Sequence, residues 1–289
     1  MVRVAFALVL LAFAPSAVRA CSTCTVGDPT LTVMGAEQPN DGRLRFSGAL
    51  RWRTEREDDG TRLVERRLEL GLAWSPVTRV TLSANVPLVS RRARFSNLAE
   101  ERSFGLGDVD LRARLLLFRD RALAPRHLLA AVVGLELPTA IRTSGPFEDD
   151  PEQQPGTRTW DPIAGLTYGF FRAPFSLSTV AVVIAPLTEG VGRVRPGASA
   201  RLSTRAQWQP WEVFGFALGV DARVDGREHT GGQRERASGG AIVYGSAGVV
   251  LAPTEEVVID LRLSLPAWQA LRGGHEEGAV VFVGVAIDA

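Results

Sequence analysis

The chain has 289 residues, 45% of them hydrophobic and 22% charged, with 29 glycines, 2 cysteines and a formal net charge of +1 at pH 7. That balance excludes a disordered chain and a disulfide scaffold, and it gives no electrostatic case for nucleic acid or an acidic partner. All 33 basic residues are arginine, which we read as a coding bias.

Residues 1–20 read as an export signal. Arg3 supplies the positive start, Val4 to Ala14 the apolar core, and Val18-Arg19-Ala20 the small-residue cleavage pattern. The apolar run is shorter than the roughly 18 residues of a spanning helix. Cleavage is expected before Cys21. Lipid attachment there is the alternative, but Arg19 occupies a position where such sites carry a small uncharged residue.

Cys21 and Cys24 form a C-x-x-C. A thioredoxin-type redox pair needs a βαβ setting, and a structural zinc site needs four ligands, which the chain does not offer nearby. A local disulfide is therefore the expectation in an oxidising compartment, with transient metal binding as the alternative and no cofactor. Residues 21–42 carry no strand pattern. They either trail in the periplasm or plug the interior of the fold formed by the rest of the chain.

From Arg43 to the end the period is two. Leu44, Phe46, Leu50 and Trp52 alternate with Arg45, Arg51 and Arg53; Leu68, Leu70, Leu72 and Trp74 with Glu65, Arg67 and Glu69. Val80 to Leu88 comes next, then Val109 to Leu117 against Asp110, Arg112 and Arg114. Leu129 to Leu137 opposes Glu136, and Trp160 to Phe170 opposes Asp161 and Thr167. The second half repeats this in Phe175 to Leu187, and in Ala198 to Trp208 against Arg201 and Arg205. Phe214 to Ala222 opposes Asp221 and Arg223, and Ala241 to Leu251 opposes Tyr244 and Ser246. Val257 to Leu265 opposes Asp260 and Arg262, and Ala279 to Ile287 is the last. Period two means strands with one oily and one polar face, and about 12 of them reach the ~9–11 residues of a tilted spanning strand.

Short links (Ser75–Thr78, Phe171–Pro174, Gln209–Glu212, Ala252–Glu255) alternate with long polar ones (Arg91 to Ser103, Thr139 to Thr159, Gly226 to Gly239); Arg119 to Arg126 is of middling length. A soluble sandwich shares the face alternation. Three features favour a membrane barrel. No apolar face carries a charge. Trp74, Trp208 and Trp211 sit at short-turn ends, and Trp52, Trp160 and Trp268 at long-loop ends, as two interfacial belts would require. Trp268 breaks the parity of its strand. Pro87, Pro138, Pro186 and Pro266 fall near the long-loop ends, where strand pairing can loosen. The fold class is all-β: a closed antiparallel up-and-down transmembrane barrel over residues 43–289, with both termini on the short-turn side.

Gly105-Leu-Gly107-Asp108, Glu136-Leu-Pro138-Thr139, Gly156 to Pro162 with Asp161, Ser238-Gly239-Gly240, and Leu265 to Gly273 with Pro266 occur in an order that resembles the outer-membrane family of the meta-pathway of phenol degradation, whose members are labelled transporters. The resemblance spans most of the chain after Arg43. It implies an outer-membrane barrel that passes small molecules, aromatic or hydrophobic ones among them. The implied partners are the outer-membrane bilayer, the barrel-insertion machinery and the solute. The C-terminal "VGVAIDA" lacks the terminal aromatic common in such barrels, and the "CSTCTVGDPTLTVMG" leader is not a feature of the family as a whole.

The interior of such a barrel carries Arg45, Arg51, Glu65, Arg67, Glu69, Asp110, Arg112, Arg114, Glu136, Asp161, Arg201, Arg205, Asp221, Arg223, Asp260 and Arg262. Both signs occur on neighbouring strands, so a paired ionic network comes first and solute selectivity second. Asp108 reads as a turn-capping residue between backbone-permissive glycines. His127, His229 and His275 stand with no nucleophile in a recognisable pattern, so catalysis is not expected. The reading is a channel or transporter. Its rival is a non-conducting structural or binding barrel, its lumen closed by salt bridges.

Overall fold

Side chains that alternate between lipid and interior leave every strand two-faced, and only a sheet closed on itself satisfies both faces along with all its backbone groups. The computed structural model describes residues 42, 44–121, 125–143, 148–151, 153–254 and 256–289. The export signal and nearly all of the leader, with Cys21 and Cys24, lie outside the described residues.

The strands are β1 (Leu44–Glu57), β2 (Arg62–Val77), β3 (Val80–Arg94), β4 (Glu100–Leu106), β5 (Val109–Arg119), β6 (His127–Leu137), β7 (Asp161–Arg172) and β8 (Phe175–Ile184). They continue as β9 (Val194–Arg195), β10 (Ser199–Trp211), β11 (Phe214–Asp225), β12 (His229–Thr230), β13 (Gln233–Arg234), β14 (Gly240–Leu251), β15 (Val257–Leu271) and β16 (His275–Asp288). β4 and β5 pair with successive stretches of β3 and form one interrupted wall strand, giving a twelve-strand antiparallel wall. β1 pairs with both β2 and β16, which closes the barrel. The pairs Leu44 N–H to Ala289 carbonyl (3.0 Å) and Ala289 N–H to Leu44 carbonyl (2.8 Å) seal the junction. β9, β12 and β13 form a small separate sheet in the long connections.

The outer face is oily. Leu70, Leu117, Leu166, Val183, Leu218, Val220 and Val283 are all exposed on it. In water such a surface would be untenable; in hydrocarbon it is the solvent-matched face of a transmembrane barrel. All six tryptophans are exposed on the wall. Outward charges on β1 to β4 (Arg62, Arg66, Arg92, Glu100, Arg102) occur only towards the long-loop end, and the Arg66 guanidinium lies over the Trp52 ring at 5.3 Å. That pairing suits an interfacial belt.

Two sequence expectations change. The stretch Arg91 to Ser103, read as a long loop, is mostly hairpin: β3 runs to Arg94 and β4 starts at Glu100. Trp268 is not misplaced. A bulge pairs Val243 with Trp268 but Tyr244 with Pro266, so Ala267 is extra and the facing flips. The facing also flips between β4, where odd residues point in, and β5, where even residues do; Gly107 and Asp108 are both buried at the switch.

Candidate functional site

Inward-facing residues of a barrel this narrow meet across the lumen, so their charges must be paired or solvated. Around β1, β2 and β16 the pairing is dense. Arg53, 1% exposed, reaches Glu55 at 2.7 Å, Glu65 at 3.4 Å and Glu277 at 3.8 Å. The Arg91 Nε donates to Glu65 (3.0 Å), Arg51 lies 3.6 Å from Glu65 and 3.9 Å from Glu69, and Arg67 lies 3.1 Å from Glu69. Glu277 also accepts from Arg223 (2.5 Å) and from the Tyr244 hydroxyl (2.7 Å).

A second group joins β10, β11 and β15. Arg205 donates to both oxygens of Asp260 (2.7 and 2.8 Å), Arg262 adds a third bond to Asp260 (2.8 Å), and the Ser203 hydroxyl donates to Asp221 (2.5 Å). The bidentate geometry is the strong form of the Arg–carboxylate contact. Arg201 and Arg114 are half-buried on the same interior surface. Arg45 sits at the short-turn end, bonded to Asp288 at 2.5 and 2.7 Å.

On β5 to β7 the pattern differs. Asp110, Glu136 and Asp161 are direct register neighbours on three adjacent strands. Asp110 accepts from Arg112 (Nε at 2.9 Å). Glu136 forms no ion pair among the described residues, and Asp161 Oδ1 is buried and accepts no hydrogen bond.

The motif residues converge on two points. At the first, buried Asp108 accepts from the Ala140 N–H (3.0 Å), the Arg158 N–H (2.9 Å) and the Thr157 hydroxyl (3.3 Å). These three donors lie in the connection between β6 and β7, so a single carboxylate draws its described stretches, residues 139–143 and 153–159, back over the lumen. A Cβ on Gly156 would stand 2.4 Å from Asp108 Oδ2, which requires glycine there. Arg91 reinforces the fold by donating to the Pro151 carbonyl (3.3 Å), and Thr139 accepts from the Val109 N–H (2.8 Å). Pro138 sits in the tight turn where the Thr139 N–H donates to the Leu137 carbonyl (2.7 Å). Gly105 and Gly107 each lie against Pro155, where a Cβ would come within 3.1 Å of its side chain and 3.0 Å of its carbonyl, respectively.

At the second point, a Cβ on Gly240 would meet the Ala270 carbonyl at 2.5 Å, and one on Gly273 the Ala237 carbonyl at 2.2 Å. The Arg272 N–H donates to the Gly239 carbonyl (3.0 Å). These glycines let β14 and the end of β15 approach closely at the rim. Beside them, the β15–β16 ladder stops at Ser264 opposite Val280. Beyond that pair the Gln269 side chain accepts the Glu277 N–H (2.9 Å). A side chain replaces the ladder, and the wall carries a seam there.

Sequence reading missed Glu55, Arg91 and Glu277 as interior charges. Glu55 simply continues the parity of β1. Arg91 fell in a stretch read as loop. Glu277 has the outward parity of its strand, and a bulge between Arg53/Val280 and Glu55/Glu277 turns it inward. No local sequence signal marks that bulge.

No family model and no curated protein matches the chain. Among solved structures, the chain is similar to an outer membrane channel from Pseudomonas putida F1, at TM-score 0.69 and 15% identity over 86% of this chain and 96% of that one. It is also similar to the β-domain of the Bordetella autotransporter BrkA, at TM-score 0.50 and 15% identity over 86% and 99% of the two chains. At these identities the likeness establishes the barrel fold.

Proposed function

We propose that the mature chain, exported and inserted in the outer membrane, is a channel for small solutes. The observation that supports this best is a lumen of buried charged and polar groups inside a lipid-matched wall, with its long-loop mouth covered by a segment that one carboxylate holds in place. A polar interior inside a membrane barrel is the general arrangement of aqueous channels. The Pseudomonas channel with a similar fold, and the motif order that resembles the meta-pathway transporters, point the same way.

In this reading the long connections are extracellular and the termini periplasmic. Residues 139–143 and 153–159, tied to Asp108, form the restriction, and the paired arginines shape the passage behind it. Gly42, the last residue of the leader, lies at the periplasmic end, where its N–H donates to the Ser75 carbonyl (2.8 Å). The seam above Ser264 supports a second exit, sideways into the bilayer, for aromatic or other apolar solutes.

Single-channel conductance in planar bilayers tests the proposal, with the mature chain compared with a variant lacking residues 21–42. Steady conductance of the mature form is the expected result. Conductance only after truncation makes the leader a plug. Silence from both forms, with the fold verified by heat-modifiable gel mobility, favours the structural barrel closed by its own salt bridges.

A further inference from the structure

Most interior carboxylates have an arginine partner. The row on β5, β6 and β7 departs from this, and the departure has a direction. Asp110, Glu136 and Asp161 succeed one another across the ladders, and direct register neighbours on one face have Cβ atoms roughly 4.5–5.5 Å apart. Asn85, opposite Asp110 on β3, extends the row. Its Oδ1 is buried without a hydrogen bond, as is Oδ1 of Asp161, a side chain only 2% exposed. Both vacant atoms are acceptors. What they lack is a donor, and the lumen between them is where one would arrive.

The row is also held in position. The Thr157 hydroxyl bonds Asp108 and meets the Thr159 hydroxyl at 2.9 Å, two residues before Asp161. The stretch tied to Asp108 therefore runs directly into the end of the acidic row. Arg112 occupies Asp110. The carboxylates are spread along a ladder and not gathered to one point, and no group of three among the described residues could hold a metal ion. The arrangement is a field for a passing charge and not a chelate.

We propose that Asp110, Glu136 and Asp161 form a cation-selective subsite at the restriction, taking a monovalent cation or the ammonium group of a small organic solute. Glu136, the half-buried member, meets the solute, and Asp161 and Asn85 supply the remaining acceptors. The subsite rests on the channel reading.

The test is the reversal potential of the reconstituted mature chain in a KCl gradient, with ethylammonium chloride as a second probe. Wild type is expected to favour potassium over chloride. Glu136→Gln should lower that preference by about threefold or more, Asp161→Asn less, and Glu136→Asp should restore most of it. Asp120→Asn, on the link between β5 and β6, serves as the control variant and should leave the preference unchanged. Ethylammonium should reduce single-channel current in wild type and lose that effect in Glu136→Gln. A conducting channel whose preference ignores Glu136→Gln overturns the subsite and leaves the channel reading standing. A correctly folded barrel that never conducts overturns both.

Discussion

Asp108 shows how much one side chain can decide. It accepts three hydrogen bonds from a connection that begins more than thirty residues later in the chain, and it tolerates no Cβ at Gly156. Asp108→Ala strands the buried Ala140 N–H, at about 1–3 kcal/mol, and the part-buried Arg158 N–H, at less. We expect residues 139–159 to become cleavable at Arg142 and Arg158 in limited proteolysis and the single-channel current to rise. Gly156→Ala should have the same effect. In the double variant the clash with Asp108 no longer exists, so the two effects should combine to less than their sum; a thermal-unfolding cycle measures this. Outside the span, Asp120 accepts the His127 N–H (3.0 Å) and the Arg126 N–H (2.8 Å), and those bonds hold its carboxyl below the ordinary carboxylate range. A depressed value means the contribution is present above the unfolded-state value of about 3.9 and is lost as pH falls through the lowered one. The stability difference between wild type and Asp120→Asn should therefore shrink on going from neutral to strongly acidic pH, as monitored by thermal unfolding.

At the scale of a strand, the face matters more than the residue type. Val220, in the middle of β11, is 52% exposed on the wall while its neighbour Asp221 is buried. Val220→Arg places a guanidinium in hydrocarbon and should cost about 2–4 kcal/mol, measured by denaturant unfolding in lipid vesicles. Facing of this kind was legible from parity along the regular stretches of the wall strands, because lipid on one side and charge on the other leave no other arrangement. Parity failed where an extra residue enters. Ala267 turns Trp268 outward, and the bulge on β16 turns Glu277 inward. Bulges arise from how neighbouring strands meet, and a single strand's pattern does not contain that information.

For the whole molecule, closure and the interior network depend on each other. Removing residues 281–289 takes away the partner of most of β1 and leaves two open edges, so no heat-modifiable folded form is expected on a gel. Arg53 tests the network itself. Arg53→Met leaves Glu55, Glu65 and Glu277 facing one another without their shared cation, and unfolding should show a loss of about 3–5 kcal/mol.

The amino-acid sequence by itself determined the class of fold, the number of wall strands and the facing of the charged residues named from it, because a two-residue period against lipid is a local property of the chain. It also pointed to short motifs around Asp108 and Gly240 without showing what they touch. Only the tertiary structure decided that Asp108 draws the described stretches of the β6–β7 connection over the lumen, that Arg53 reaches carboxylates on three strands and shares Glu65 with Arg91, and that Asp161 Oδ1 is buried without a hydrogen bond. Those outcomes depend on registers between strands far apart in sequence, and register is settled when the sheet closes.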